Sequence, residues 1–229
     1  MTARDAYEVQ QFNTHRLLAD GHRLVGRKIG LTSHAVQSQL GVSEPDYGML
    51  WADGAVDADG SASIGSFIAP KIEAEVGFVM GRDLVDEGLV MHDVLSAVEY
   101  ALPALEIVDS AIKNWDIRLI DTIADNASGG GYVLGTSPRR IDDLDLRMVG
   151  MVLSCGGLPV SLGVGAACLG HPLTALLWLA RKMVEVGEPL RAGELVLSGA
   201  LGPMVPVRAN EDYLLEIQGF APVGVHFVQ

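Results

Sequence analysis

The sequence predicts an α+β fold in which short strands predominate and a few helices flank them. Many short alternating or β-branched runs lie between turn residues, only a few segments have a helical pattern, and 27 of the 229 residues are glycine. We find no internal repeat, low-complexity tract or linker. Residues 1–229 are therefore expected to form a single domain.

The first third of the chain is predicted to hold two helices and one strand. Residues 5–20 have an amphipathic helical pattern, with four apolar residues available for one side: Val9, Phe12, Leu17 and Leu18. The segment "RLVGRKIGLT" is predicted to be a strand that carries Lys28. Ser33 can cap a helix over "HAVQSQL", which Gly41 would end. Turn residues surround Pro45, and residues 54–65 are expected to form a surface loop.

The segment "KIEAEVGFVM", residues 71–80, alternates as a half-buried strand does. Its apolar face would consist of Ile72, Ala74, Val76, Phe78 and Met80. A helix is expected from about His92 to Leu102, with Pro103 stopping it. "ALEIVDS" is again predicted to be a strand, and "DTIADNASGGGYVLG" to pass from a polar loop into another strand.

The C-terminal part contains the clearest helical pattern, "HPLTALLWLARKMVEVGEPL". Pro172 suits its first turn and Gly187 closes it. Its apolar stripe would consist of Leu173, Leu176, Leu177, Ala180 and Val184. "MVGMVLSCGG" and "LPVSLGVGAA" before it are predicted to form a hairpin or meander, and two further strand segments after it to complete the fold.

Charge and composition exclude several classes of function. The formal net charge of −13 argues against binding to nucleic acid or to anionic membrane surfaces. No apolar run reaches the roughly 18 residues that a membrane-spanning helix needs. The N-terminal residues do not have the pattern of a secretory signal. We therefore expect a cytoplasmic protein in which Cys155 and Cys168 are buried free thiols.

The polar face of "KIEAEVGFVM" carries two neighbouring carboxylates, Glu73 and Glu75, which tolerate one another only with a proton, a cation or water. Glu106 lies on one face of the "ALEIVDS" strand. If the two strands meet, the three glutamates offer hard oxygen donors suited to Mg²⁺ or Mn²⁺ and poorly suited to Zn²⁺. On spacing alone, the wet face of an edge strand beside Lys71 is the better interpretation.

Seven blocks of the sequence resemble those of the bacterial 2-hydroxypenta-2,4-dienoate hydratases, which belong to the fumarylacetoacetate hydrolase superfamily. The blocks are "GRKIGLT", "QLGVSEPDYGML", "PKIEAEVGFV", "ALPALEIVDS", "DTIADNAS", "LGHPLTALLWLARKM" and "LSGALGPM". The resemblance runs in order from about Ala6 nearly to the C-terminus. It reverses the preference for the surface interpretation.

The resemblance implies a β-rich mixed roll with a divalent-metal site. Matched block by block, it implies the metal ligands Glu73, Glu75 and Glu106 and the catalytic residues Lys28, Asp46 and Ser128. The chain departs from the family in two places. Relatives usually have a longer N-terminal helical segment, so the domain would carry a shortened one. Ser198 replaces a threonine that many relatives have, and it retains the hydroxyl.

The implied activity is the Mg²⁺- or Mn²⁺-dependent hydration of 2-hydroxypenta-2,4-dienoate, or a close alkyl homologue, to 4-hydroxy-2-oxopentanoate, in meta-cleavage degradation of aromatic compounds. We hypothesise that the dienol first becomes a 2-oxo-3-enoate, to which water adds at C4. Asp46 would be the general base and Lys28 the cation or proton donor. The reverse assignment fits the sequence equally well.

Three other functions compete with hydration. A related decarboxylase of 2-oxo-3-hexenedioate would use the same metal site, together with a cation for a second carboxylate. An acylpyruvate hydrolase would need a His–Glu pair in the N-terminal part; His34 and Glu44 are present there, but their blocks do not resemble the hydrolase pattern. The third is a catalytically silent partner subunit. The apolar composition predicts a homo-oligomer, and association with the next enzyme of the pathway is a further expectation.

Overall fold

The computed structural model describes residues 2–229, which form two β-sheets with five α-helices around them. The helices are α1 (Ala3–Ala19), α2 (His34–Leu40), α3 (Met91–Ala97), α4 (Leu119–Ala124) and α5 (Pro172–Glu185). The strands are β1 (Leu24–Gly30), β2 (Asp46–Trp51), β3 (Ala55–Val56), β4 (Gly60–Ser63), β5 (Lys71–Met80), β6 (Val98–Val108), β7 (Gly129–Leu134), β8 (Gly150–Cys155), β9 (Leu158–Val164), β10 (Leu195–Leu197), β11 (Val205–Pro206), β12 (Glu211–Ile217) and β13 (Val223–Val228). The predicted α+β class is confirmed.

The larger sheet has eight strands in the order β2-β1-β10-β5-β6-β7-β3, with β11 also paired to β5. The smaller sheet has five strands in the order β4-β13-β12-β8-β9. One main core lies between them: Phe78 of β5, Leu215 of β12, Phe227 of β13 and Leu176 of α5 are all fully buried in it. The strands of the larger sheet therefore place alternate side chains in this core and on the opposite face.

Helix α5 agrees with its predicted pattern. Pro172 occupies the first turn, and His171 caps the N-terminus by accepting a hydrogen bond from the Leu173 N–H at Nδ1. Gly187 follows the helix in a left-handed conformation with φ of 80°. The helix packs its apolar stripe on the main core.

The helix predicted from His92 to Leu102 is wrong in its second half, because α3 ends at Ala97 and the chain continues as β6. Pro103 does not stop a helix; it lies within β6 opposite Val76. The Val76 N–H donates to Ser198 Oγ, and the Val76 carbonyl accepts from the Ser198 N–H. Val76 therefore forms no backbone hydrogen bond with β6, and the missing N–H of Pro103 costs no hydrogen bond at this position. Pairing with a long neighbouring strand therefore overrides the local helical pattern.

Helix α1 packs through a different face from the one expected. Its buried residues are Ala6, Gln10 and Thr14, whereas Phe12 is 71% exposed. The spacing of four residues in this buried set follows the helical repeat, but two of its three members are polar.

Two segments that were predicted to be loops contain regular structure. Residues 54–65 include β3 and β4, which pair at the edges of the two sheets. The start of "DTIADNAS" belongs to α4. Within residues 2–229, no helix is long and apolar enough to span a membrane.

Candidate active site

Antiparallel pairing of β5 with β6 brings three glutamates together on the face of the larger sheet that is turned away from the main core. Glu73 lies directly opposite Glu106, and Glu75 lies opposite Ala104, one position along the same face. One carboxylate oxygen from each of the three glutamates lies within 4.8 Å of the others. Because β5 is paired on both sides and Glu75 is fully buried, the interpretation as the wet face of an edge strand is wrong.

The buried carboxylates have few hydrogen-bond donors. Oε2 of Glu75 accepts a hydrogen bond of 2.7 Å from the Gly199 N–H. Within residues 2–229, Oε1 of Glu75 and Oε2 of Glu106 have no hydrogen-bond partner. Burying carboxylate oxygens without partners is strongly unfavourable, which favours a cation beside them.

The charge state of the cluster reflects this shortage. Burial, and then the charge of Glu106, raise the pKa of Glu73 to about 7. The same two causes raise the pKa of Glu75 well above its usual value. Carboxyl groups that hold protons in this way would release them if a cation bound.

Lys28 of β1 is the ammonium group nearest to this cluster among the described residues. Its Nζ lies 2.8 Å from Oε1 of Glu106, and both side chains are buried. The two groups form an ion pair and not a well-aligned hydrogen bond. Burial disfavours the charged amine, but Glu106 and Asp46 outweigh it and raise the pKa of Lys28. Lys28 is therefore protonated at neutral pH.

Asp46 begins β2, opposite Gly30 of β1. A side chain at Gly30 would collide with Oδ1 of Asp46, since a Cβ there would lie 2.2 Å from that oxygen. Oδ1 has no hydrogen-bond partner in the described part of the chain. Burial raises the pKa of Asp46 to about 6, against the lowering effect of Lys28. Asp46 thus presents one free oxygen and titrates near neutral pH.

Thr122 places a hydroxyl group beside Asp46, and Ser128 places a second hydroxyl group beside that of Thr122. Thr122 Oγ1 lies 3.4 Å from Oδ2 of Asp46 and 3.2 Å from Ser128 Oγ. Ser128 is the last of three successive residues with left-handed backbone, at φ of 55°, 52° and 56° from Asn126 onward. Asn126 fixes this turn to β2, since its amide donates to the Met49 carbonyl and accepts from the Met49 N–H.

The other candidate residues named from the sequence are Lys71, Ser198, His34 and Glu44. Lys71 Nζ lies 4.1 Å from the ring centre of Trp115. The hydroxyl of Ser198 is buried and bonded to the backbone. His34 and Glu44 are exposed, line a surface cleft of about 440 Å³, and form no hydrogen bond or ion pair with each other among the described contacts.

The two cysteines are free thiols, as predicted. Cys168 is buried, and burial raises the pKa of its thiol to about 12. Cys155 is only partly buried, so the prediction of burial is wrong for that residue. Neither thiol shows the lowered pKa of a reactive cysteine.

Two residues near the site were missed in the sequence. Thr122 lies in a segment predicted to be a loop. Gln10 lies on helix α1, for which the apolar residues predicted a different buried face. Gln10 donates hydrogen bonds to the carbonyls of Tyr47 and Ile123. The spacing of four residues between Ala6 and Gln10, which places both on one face of the helix, was the one available signal that Gln10 is buried.

The donor set fits a hard divalent cation. Glu73, Glu75 and Glu106 supply only oxygen, and two of their buried oxygens lack any partner in the described structure. Mg²⁺ and Mn²⁺ prefer carboxylate oxygen, whereas Zn²⁺ is usually held by histidine or cysteine. These three residues could therefore hold a metal ion.

Comparison with known proteins relates the chain to one family and to bacterial hydratases. A family model described as fumarylacetoacetate (FAA) hydrolase C-terminal matches residues 23–228. The TodF product hydratase of Pseudomonas putida strain F1 is 57% identical over 224 residues, which cover 98% of this chain and 84% of that protein. The 2-keto-4-pentenoate hydratase of Paraburkholderia xenovorans strain LB400 is 53% identical over 227 residues, which cover 99% of this chain and 84% of that protein.

Solved structures show the same fold. The 4-oxalocrotonate decarboxylase of Pseudomonas putida G7, complexed with magnesium and adipate, superposes with a TM-score of 0.96 at 37% identity, covering 100% of this chain and 87% of that one. The fumarylpyruvate hydrolase of Pseudomonas aeruginosa, in complex with Mn²⁺ and pyruvate, has a TM-score of 0.70 at 15% identity, covering 89% of each chain. The latter likeness concerns the fold alone.

The raised pKa of Glu73 predicts how stability depends on pH. Without metal, the carboxyl group of Glu73 in the folded protein keeps its proton up to about pH 7, whereas the ordinary pKa of a glutamate is 4.5. The folded state then binds more protons than the unfolded state, so the free energy of unfolding falls as pH rises across this window. Because Glu73 is partly exposed, we expect its contribution to be on the order of 1 to 2 kcal/mol.

Chemical denaturation of metal-free protein between pH 4.5 and pH 7 measures this effect. Glu73→Gln should flatten the pH dependence, and Glu216→Gln, which changes an exposed strand glutamate, should not. Added Mn²⁺ should stabilise the wild type more at pH 7 than at pH 5. Identical pH profiles for the wild type and Glu73→Gln would contradict the prediction.

Proposed function

This chain belongs to the fumarylacetoacetate hydrolase C-terminal family, and from that premise we propose that it is a divalent-metal-dependent hydratase of 2-hydroxypenta-2,4-dienoate or a close alkyl homologue. The observation that carries the proposal is the cluster of Glu73, Glu75 and Glu106 beside Lys28. The two relatives that are named hydratases are 57% and 53% identical to this chain, whereas the decarboxylase is 37% identical to it.

The three glutamates would hold the cation, for which Mg²⁺ and Mn²⁺ are our proposal. Support comes from the all-oxygen donor set and from the 37% identical decarboxylase, whose structures contain magnesium or calcium. When bound, such an ion would neutralise the substrate carboxylate and stabilise negative charge on the neighbouring C2 oxygen.

Asp46 and Lys28 have properties that suit opposite roles. Asp46 has one oxygen free and a pKa raised to about 6, so it can accept a proton near neutral pH. Lys28 is held in its charged form by Glu106 and Asp46, so it can stabilise negative charge or donate a proton. We therefore assign Asp46 as the general base and Lys28 as the cation. Ser128 would supply a buried hydroxyl for substrate orientation.

The proposed reaction has two stages. In the first, the C2 hydroxyl of the dienol loses its proton and C5 gains one, which gives a 2-oxo-3-enoate. In the second, water adds its oxygen at C4 and C3 receives a proton, which gives 4-hydroxy-2-oxopentanoate. The first stage makes C4 electrophilic. Asp46 would accept protons during these stages, and the charged Lys28 would stabilise the negative charge that develops.

An assay of the purified protein tests the activity. With Mg²⁺ or Mn²⁺ and freshly generated 2-hydroxypenta-2,4-dienoate, we expect the dienol absorbance to fall and 4-hydroxy-2-oxopentanoate to accumulate, without release of CO₂. The same assay with 2-oxo-3-hexenedioate measures decarboxylation. Release of CO₂ from that substrate with no hydration of the dienoate would contradict the proposal, and absence of any reaction would favour a silent subunit.

Substitution of the two charged residues tests their roles. We expect Asp46→Asn to lower kcat by about 10² or more, because a general base contributes at least this much. Lys28→Met should lower kcat similarly while leaving Mn²⁺ affinity at least as high as in the wild type, because it removes a positive charge beside Glu106. Mn²⁺ titration calorimetry measures that affinity.

Lys113→Met is the matched control for this pair, since it removes an exposed lysine outside the cluster. It should retain wild-type turnover. Near-normal turnover of both Asp46→Asn and Lys28→Met would overturn the assigned mechanism.

We also propose that the protein is a homo-oligomer. Large apolar side chains remain exposed in the described structure, among them Leu158 and Leu162 on the edge strand β9, at 71% and 64% exposure. Such surface is normally covered by another protein. Light scattering coupled to size-exclusion chromatography should give a multiple of 24.3 kDa. A monomer at micromolar concentration would contradict this.

A further inference from the structure

Gln10 connects the two segments that carry Asp46 and Thr122. Its side chain is buried, and its Nε2 donates hydrogen bonds of 2.8 Å to the Tyr47 carbonyl and 3.0 Å to the Ile123 carbonyl. Both protons of this amide nitrogen are therefore used. Tyr47 directly follows Asp46 in β2, and Ile123 directly follows Thr122 in α4. One side chain thus fixes the distance between β2 and α4 at this point.

The consequence appears at the Asp46 carboxylate. Thr122 Oγ1 faces Oδ2 at 3.4 Å and is itself in contact with Ser128 Oγ at 3.2 Å, while Oδ1 has no hydrogen-bond partner in the described chain. The first distance is at the long end for a hydrogen bond, so a small separation of β2 from α4 would break it. The carboxylate would then lose the contact that distinguishes its two oxygens.

Helix α1 is built to hold this spacing. The ring of Tyr7 stacks on that of Tyr47 with centroids 4.6 Å apart, and Ala6 is fully buried. The helix lies before residue 23, where the match to the family model begins. Its contribution to the site is therefore additional to the matched segment.

We propose that Gln10 and Thr122 are positioning residues for Asp46, and that helix α1 is through Gln10 a working part of the active site. The inference rests on the proposed function, since it gives Asp46 a catalytic role. Gln10 acts through the spacing of β2 and α4, and Thr122 acts through its hydroxyl. Neither residue is assigned contact with the substrate or the metal.

Gln10→Met removes both donated hydrogen bonds while keeping the length of the side chain. We expect kcat for hydration to fall about tenfold, the effect of losing one hydrogen bond to a charged group, with KM and Mn²⁺ affinity unchanged. Thr122→Val should lower kcat similarly, and Thr122→Ser, which keeps the hydroxyl, should restore it. The double variant Gln10→Met with Thr122→Val should lose less than the product of the two single effects, because both act on the same contact.

Thr14→Val is the matched control on the same helix. Thr14 is buried, and its hydroxyl donates 2.9 Å to the Gln10 carbonyl within the helix, so the variant should lower the melting temperature without lowering kcat. Rates are corrected for the folded fraction from melting curves. Wild-type kcat in Gln10→Met, or an equal loss in Thr14→Val, would overturn the positioning role while hydration itself stands. Absence of hydration by the wild type would overturn both proposals.

Discussion

Pairing of β5 with β6 in a single register places Glu73 opposite Glu106 and, on the other face, Ile72 opposite Ile107. The isoleucines are fully buried in the main core, so the register that fills the core also builds the carboxylate cluster. A slip of one residue would move the glutamates into the core and the isoleucines out of it. Packing of the main core therefore fixes the register of β5 and β6, and that register fixes the geometry of the carboxylate cluster.

The site brings together more carboxyl groups than the nearby cations of the described chain can neutralise. Four carboxyl groups, those of Asp46, Glu73, Glu75 and Glu106, share the ammonium group of Lys28. Burial makes this imbalance expensive, and the raised pKa values of Glu73 and Asp46 are its direct result. A divalent cation would neutralise most of the excess. The same unfavourable electrostatics that weaken the metal-free fold would thus become the driving force for binding the metal.

Much of this arrangement could be predicted from the sequence, and the failures have identifiable causes. Alternation along β5 put Glu73 and Glu75 on one face, and the family resemblance added Glu106. The spacing alone could not show that pairing with β6 brings the three together. The helical pattern before Pro103 failed because pairing with β5 extends β6 back to Val98. The hydrogen-bond partners of Gln10 could not be predicted, since they lie 37 and 113 positions away in the sequence. Sequence patterns report local periodicity, whereas these features depend on tertiary contacts.

The backbone around Asp46 and Ser128 shows what the site demands of the fold. Asn126, Ala127 and Ser128 are all left-handed, a conformation that costs on the order of 1 kcal/mol or more for each non-glycine residue. The turn persists because Asn126 is bonded twice to Met49 and the Ser128 carbonyl accepts from the Asp109 N–H. Surrounding structure that over-determines a strained turn holds its backbone dipoles in place. Dipoles fixed in this way need no reorganisation when charge moves, which is the condition for strong electrostatic catalysis.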